Sequence, residues 1–285
     1  MIGTLRGLCA EYGDVNIQLA RRPQDIYARA RAAVESGHEL VIAGGGDGTI
    51  SGIASVLAGT GCKLGVLPLG TFNYFARRLA IPPDIERAIC VCFEGEVRTI
   101  PLGDVNGRTF LNNASIGLYP TMLKTREKAY RRIGRNQLSA YVSGLYSLAR
   151  ANDYHCVTMS VGNERNTFRT PLIFAAANAV QVDSFGVPGS GCPQSGKLAF
   201  YILPPVGRAA LVRLGWRMVM RQLDPGKDFS LVCAERAEVT TRREYLKVAY
   251  DGEIEVLRSP LSFCLRPNAL NVMCPPGLKQ DSVPA

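Results

Sequence analysis

Leu40-Val41-Ile42-Ala43-Gly44-Gly45-Gly46-Asp47-Gly48-Thr49 is the stretch on which the reading of this chain turns. Four apolar residues closed by glycine read as a short, fully buried strand. An apolar run with helical spacing follows, from Ile50 to about Ala58. Glycines between a strand and a helix let the backbone approach a ligand closely. Successive N–H groups in such a turn, with the helix N-terminus behind them, make an anion site. Asp47 in the turn can bind a magnesium ion carried by phosphates. Thr49 can cap the helix, contact a phosphate, or do both. The stretch lacks the Gly-Lys-Ser/Thr of a Walker loop and is not GxGxxG. Taken alone it also fits a plain glycine-rich turn with Asp47 as a cap.

Working outward, short apolar runs alternate with helical patterns over the first hundred residues. Val15–Leu19 reads as a strand. Pro23–Ser36 reads as a helix, with proline in its first turn and Gly37 as its stop. Leu64–Leu67 is a second buried strand, followed by a turn at Pro68–Thr71 and helices over Phe72–Leu79 and Pro83–Phe93. This β-α-β-α order predicts a parallel sheet with helices on both faces. From about residue 97 the pattern changes. Asn106-Gly107 is a hairpin signal between apolar runs. Strand-like segments recur at His155–Val161, Phe168–Asn178, Lys197–Leu203, Ala237–Thr241, Leu246–Tyr250 and Glu253–Leu257. Helical stretches at Met122–Arg150 and Arg208–Arg221 interrupt them. Two domains are expected, with a boundary near residue 98.

Composition narrows the class. The chain has 285 residues, 47% hydrophobic, which argues against disorder. No apolar run reaches the ~20 residues that span a bilayer, and the first residues form no secretory signal. The formal net charge of +9 suits an anionic partner: nucleic acid, a phosphate ligand or an anionic membrane. No zinc-finger or RNP sequence is present, so nucleic acid is not expected. Nine scattered cysteines with no CxxC read as buried thiols in a reducing cytosol, not as a disulfide framework or zinc site. His38 and His155 are too few for a His-rich metal site.

Four blocks resemble one family. Gly45-Gly46-Asp47-Gly48-Thr49 resembles the GGDGT signature of diacylglycerol and lipid kinases and of NAD kinases. Leu64–Arg77 resembles the PLGTxNDFAR block of the diacylglycerol kinase catalytic family. Phe110–Gly117 resembles its FxNxxSxG block, and Asp251-Gly252-Glu253 its late DGE block. NAD kinase fits less well: its Asn-Glu motif is missing and it lacks the late DGE. The resemblance implies an N-terminal three-layer α/β domain of the NAD kinase and phosphofructokinase type, over residues 1–98. A C-terminal antiparallel β-sandwich with inserted helices would cover 99–266, with residues 267–274 returning to the first domain. It implies an ATP-dependent lipid kinase, with ATP and lipid meeting in the cleft. Gly45, Gly46, Gly48 and Thr49 would surround the ATP phosphates, Asp47 would hold Mg2+, and Thr71 and Asn73 would complete the nucleotide side. Glu253 would be the general base on a lipid hydroxyl. Asp251 lies two residues away, on the same face if the strand is extended, where a second carboxylate raises the pKa of the first. A non-catalytic lipid- or nucleotide-binding protein of the same fold is the alternative.

The departures are specific. The chain opens with what reads as the helix that should follow an Asn-Pro-x-Ser-Gly loop, so the sheet is expected to lack its first strand. A start internal to a longer protein, or misplaced, is the favoured explanation, and exposed apolar surface would favour a homodimer. Tyr74 stands where Asp is common, and Ala20 where a threonine often contacts nucleotide. Ser195 replaces an aspartate that serves a structural magnesium in some bacterial members, so no metal is expected there. A lipid kinase must also reach a membrane, and a cytoplasmic, peripherally membrane-associated protein is expected. The run Lys124–Arg135 fits either headgroup contact or a solvated helix face. Arg213, Arg217 and Arg221 recur every fourth residue along an apolar helix. That helix is either interfacial or core-packed with its polar side in water. Tyr141, Tyr146 and Trp216 fit a lipid cleft but read first as core residues.

Overall fold

The computed structural model describes residues 2–20, 22–120, 123, 154–184 and 186–277. They fall into two units. Residues up to 102 and from 267 onward form one, and residues 103–266 form the other. The run Lys124–Arg135, Tyr141, Tyr146 and most of the helix expected over Met122–Arg150 lie outside the described residues.

The first unit is α/β. Its elements are α1 (Ile2–Cys9), α2 (Pro23–Glu35), β1 (Leu40–Gly45), α3 (Asp47–Leu57), β2 (Lys63–Pro68), α4 (Tyr74–Arg78) and α5 (Ile85–Glu94). β1 and β2 run parallel, Leu40 opposite Lys63 and Gly45 opposite Pro68. Parallel pairing requires a crossover, and α3 supplies it. Ile50, Ile53, Ala54 and Leu57 of α3 are buried, which is the i, i+3, i+4, i+7 spacing of one helix face. A Cβ on Gly52 of the same helix would stand 3.4 Å from the ring of Tyr27 in α2. Asp84 caps α5 by accepting the Arg87 N–H at 3.0 Å. A last strand returns to this unit: Asn271 and Val272 pair in parallel with Lys63 and Leu64.

Val15–Leu19 is not a strand. Residues 14–20 are irregular, and Leu19 is 58% exposed. β1 stands at the end of the sheet path, with β2 as its one neighbour among the described residues. Val41 and Ile42 on it are accordingly only half-buried.

The second unit is an antiparallel sandwich. One sheet runs β10 (Ser230–Ala234), β9 (Leu198–Ile202), β8 (Leu172–Ala176), β5 (Asn113–Gly117), β12 (Tyr245–Tyr250), β13 (Glu253–Arg258). The facing strands are β11 (Arg236–Thr241), β6 (His155–Val161), β7 (Glu164–Thr170) and the first part of β14 (Leu261–Cys274). Ile116, Ile173, Phe200 and Val248 of one sheet share a core with Val157, Val239, Leu261 and Phe263 of the other. Phe200 and Phe263 meet edge to face at 5.6 Å. Among the described residues three helices are inserted: α6 (Ala179–Ser184), α7 (Gly191–Gln194) and α8 (Arg208–Val219). The strand expected over Phe168–Asn178 is two strands, because Pro171 falls between Thr170 and Leu172 and has no N–H for a ladder.

The cysteine reading needs one correction. Cys192 and Cys233 are joined as a disulfide, with Cα atoms 5.5 Å apart, and the other seven are free thiols. The partners are 41 residues apart in sequence and meet only because β10 pairs with β9. Nothing in the spacing announces that pairing.

Phe263→Ala should lower unfolding free energy by roughly 3–5 kcal/mol, because a buried ring lost from a closed core leaves a cavity. Urea unfolding of both proteins checks this, and a loss below 1 kcal/mol would place Phe263 outside the core.

Candidate active site

The glycine turn sits where β1 hands over to α3, and its backbone is pressed against a second loop. A Cβ on Gly70 would stand 2.5 Å from the Cα of Gly46, and one on Gly46 would stand 3.3 Å from the Cα of Gly70. Only glycine on both sides allows that approach. A Cβ on Gly45 would strike Thr49 at 2.7 Å, so Thr49 rests on Gly45. The space around Gly48 is open. The helix cap is Gly46, which has no side chain to offer, and no side-chain cap bond is made. Thr49 therefore does not cap α3. No cap side chain serves the first N–H groups of this eleven-residue helix, although the Asp47 amide meets its own carboxylate.

Asp47 is the first residue of that helix, yet its carboxylate serves another one. Its Oδ1 accepts the N–H of Phe75 at 3.1 Å, and the N–H groups of Asn73 and Tyr74 also lower its pKa. Asp47 thus caps α4 from across the loop pair. Burial outweighs those bonds and raises the carboxyl above its ordinary 3.8. Asn73 holds the second loop from within. Its backbone is left-handed at φ 49°. Its Oδ1 accepts the Gly70 N–H at 2.9 Å, and its Nδ2 donates to the carbonyls of Pro68 and Gly70 at 3.1 and 3.0 Å. Asn73 therefore shapes the loop, while Thr71 stands exposed beside it. Tyr74 stacks on Phe72 at 5.4 Å, and the Arg77 guanidinium lies 5.9 Å from its ring. Where a carboxylate was expected, the surface offers a ring and a cation.

These features fit a phosphate-bearing nucleotide: an uncapped helix end, a backbone cradle that a Cβ would fill, and a nearby arginine. They fit a protein-held metal poorly. No group of three or more His, Cys, Asp or Glu side chains capable of holding one exists among the described residues. Asp47 is the one carboxylate at the turn, and backbone amides already engage it. A magnesium ion that arrives with a triphosphate takes most of its ligands from phosphate and water.

The second unit carries the acidic turn. Asp251 and Gly252 form the two-residue hairpin between β12 and β13, both with positive φ, 44° and 96°. The expectation that Asp251 and Glu253 share a strand face fails for that reason. Asp251 is in the turn, whereas Glu253 opens β13 opposite Tyr250. The Asp251 carboxylate accepts the N–H groups of Leu111, Asn112 and Asn113. Its own N–H donates to the Asn113 carbonyl at 3.0 Å. A single side chain thus ties the hairpin to the entry of β5. Beneath it Asn112 accepts from Asn178 at 2.7 Å, and Asn113 donates to Gln181 at 3.0 Å, all four residues being buried.

Sequence reading missed the neighbours of Glu253. Glu255 shares its face of β13, two residues on. Arg108, which follows the Asn106-Gly107 turn, grips Glu255 with two bonds of 2.7 Å. The Tyr250 hydroxyl donates to the same carboxylate at 2.8 Å. Arg108 and the Tyr250 hydroxyl hold the Glu255 carboxyl below its ordinary 4.5. The i, i+2 spacing of the two glutamates was the available signal. Ser195, at the end of α7, donates to the Cys192 carbonyl at 3.0 Å. Ala20 lies in the irregular segment before α2.

The comparisons agree with this anatomy. Residues 1–105 match the model of the diacylglycerol kinase catalytic domain. A probable lipid kinase YegS-like of Cronobacter sakazakii is 29% identical over 180 residues, 57% of this chain and 60% of that protein. A diacylglycerol kinase of Staphylococcus epidermidis is 41% identical over 95 residues, 33% of this chain and 30% of that protein. The matches thus span at most about three fifths of these relatives. A putative diacylglycerol kinase from Bacillus anthracis, solved by crystallography, superposes with a TM-score of 0.72 at 19% identity. That superposition covers 95% of this chain and 90% of the other, and shows the shared fold. The class is therefore a two-part α/β and β-sandwich protein with a glycine turn at a helix N-terminus. The likeness in sequence to the diacylglycerol kinase catalytic domain lies in residues 1–105.

Asp47→Asn and Asp47→Ala should separate. Asparagine keeps an acceptor for Phe75 and removes a buried charge, so its melting temperature should equal or exceed that of wild type. Alanine leaves the α4 amides unserved and should cost about 1 kcal/mol. Because the folded pKa is raised, wild-type stability relative to the asparagine variant should fall as pH rises above 3.8. Thermal melts from pH 3 to 8 test this. A gap that widens toward low pH would contradict it.

Proposed function

We propose that this protein is an ATP-dependent lipid kinase, passing the γ-phosphoryl group to a lipid hydroxyl such as that of diacylglycerol. The observation that carries the reading is the uncapped helix end behind Gly44–Thr49, inside the segment that matches the diacylglycerol kinase catalytic domain. Magnesium would enter with the nucleotide, with Asp47 orienting it through water.

ATP supplies a phosphoryl group whose transfer is loose and in line, and catalysis of such a transfer is mostly positioning and charge neutralisation. The residues of the first unit do that work. The N–H groups at the start of α3 meet phosphate oxygens, Gly46 and Gly70 keep the two loops in contact, and Asn73 fixes the second loop. In the second unit, a carboxylate oxygen of Glu253 accepts the proton of the lipid hydroxyl. That hydroxyl oxygen bonds to the γ-phosphorus while the bond to the β,γ-bridging oxygen breaks, and ADP leaves. Asp251 takes no proton in this scheme. Its lone pairs are spent on three amides, and its task is to hold the turn that presents Glu253. The Arg108–Glu255–Tyr250 cluster keeps the second glutamate ionised and pinned on the same strand. The substrate is membrane-borne, so the protein would work at an anionic bilayer surface.

A second reading, a lipid- or nucleotide-binding protein without turnover, draws support from Asp47 and Tyr74. The first carboxylate is engaged by backbone, and the second position has no carboxylate at all. One experiment separates the two. γ-Labelled ATP with magnesium is incubated with the protein and diacylglycerol in mixed micelles, wild type beside Glu253→Gln. Labelled lipid from wild type, reduced roughly 100-fold or more in the variant, is the expected result. No labelled lipid from folded wild type would leave the binding reading, and equal label from both would remove Glu253 from its role.

A further inference from the structure

Helix α8 is turned the wrong way round for water. Leu211 is its one fully buried residue, at 0% exposure. At 100° per residue, the side opposite Leu211 carries Ala209, Arg213, Trp216 and, at the C-terminal cap, Met220. A helix lying on a protein surface ordinarily shows polar residues there. Here Trp216 is 56% exposed and Met220 is 45% exposed, with Val219 at 37% beside them. The expectation that Trp216 belongs to the core is thus overturned.

Charge says what the face is for. No Asp or Glu occurs between Asp183 and Asp224, while Arg208, Arg213, Arg217 and Arg221 lie in that span. They are not equivalent. Arg217 is spent inside the unit, bonded to Asp228 and to the Gln222 carbonyl at 2.6 Å each. Arg213 and Arg221 are exposed and flank the tryptophan in sequence. The stripe of three arginines read from the sequence is therefore two outward cations and one internal strut. A second copy of the chain is a poor occupant, since a two-fold contact would set each Arg213 against like charge. An indole and a thioether beside arginines, with no acid among them, match the boundary between anionic headgroups and acyl chains.

We propose that the outer face of α8, built on Trp216, Val219 and Met220 with Arg213 and Arg221, docks onto an anionic lipid bilayer. The inference deepens the lipid-kinase reading by naming the surface that meets the membrane, and its test requires no turnover. Trp216 is the only tryptophan of the chain, so its fluorescence reports this face alone.

The full-length protein is titrated with vesicles of phosphatidylcholine containing 30% phosphatidylglycerol, then with phosphatidylcholine alone. On the anionic vesicles the emission should shift to the blue and be quenched by brominated acyl chains, and salt should weaken the effect. Arg213→Glu should reduce the vesicle partition coefficient roughly 30-fold, about fivefold for each unit of charge changed. Trp216→Ser/Met220→Ser should sediment poorly with the vesicles while keeping the wild-type circular dichroism, since both positions are exposed. An emission unchanged by anionic vesicles would overturn the proposal. So would undiminished sedimentation of the double variant. Blue emission without lipid, together with a doubled mass in solution, would assign the face to self-association and overturn it as well. Labelled lipid in micelles without vesicle binding would sink this inference and spare the kinase reading, and the converse result would do the opposite.

Discussion

One carboxylate accepting three backbone amides sets the geometry of the acidic turn in the sandwich unit. Asp251 sits in a two-residue turn with a left-handed backbone and gathers the N–H groups of residues 111–113. Charge-assisted bonds of this kind are about twice as strong as neutral ones. Removing the side chain would leave three donors competing for water. The turn, the start of β5 and the asparagine layer below them are one object because of this contact. Glu253 follows this turn at the start of β13.

The first unit repeats the device with different parts. Asp47 reaches from the start of one helix to cap another, and Asn73 spends its whole amide on its own loop. In both units an acidic or amide side chain is engaged by backbone groups. This makes sense for phosphoryl transfer, which asks a protein for placement more than for covalent chemistry. Rigid presentation of amides serves that need well, because they lose no rotamer freedom when a ligand binds.

Much of this was legible in the sequence, and the limits were physical. The strand β1, the glycine turn and α3 followed from apolar runs and glycine placement, since both act locally, although β1 is half-buried and not fully buried. The Asn106-Gly107 hairpin and most sandwich strands followed for the same reason. Val15–Leu19 failed because a strand is defined by its partner, and this segment pairs with none among the described residues. Asp251 was misread because the period-two rule assumes an extended chain, whereas Asp-Gly makes a turn. The Arg108–Glu255 bridge spans 147 residues, and the Cys192–Cys233 bond 41. Tertiary structure alone brings either pair together. Trp216 was assigned inward on residue type, and only the orientation of α8 corrects it.

The central claim is a division of labour, with nucleotide held by the first unit and proton transfer performed by Glu253 in the second. The most direct test is calorimetric titration of magnesium-ATP into wild type, Asp47→Ala and Glu253→Gln under one set of conditions. The account predicts an affinity for Glu253→Gln within about twofold of wild type, and a loss of at least about tenfold for Asp47→Ala. A Glu253→Gln protein that binds nucleotide as poorly as Asp47→Ala, with its fold intact, would contradict the account.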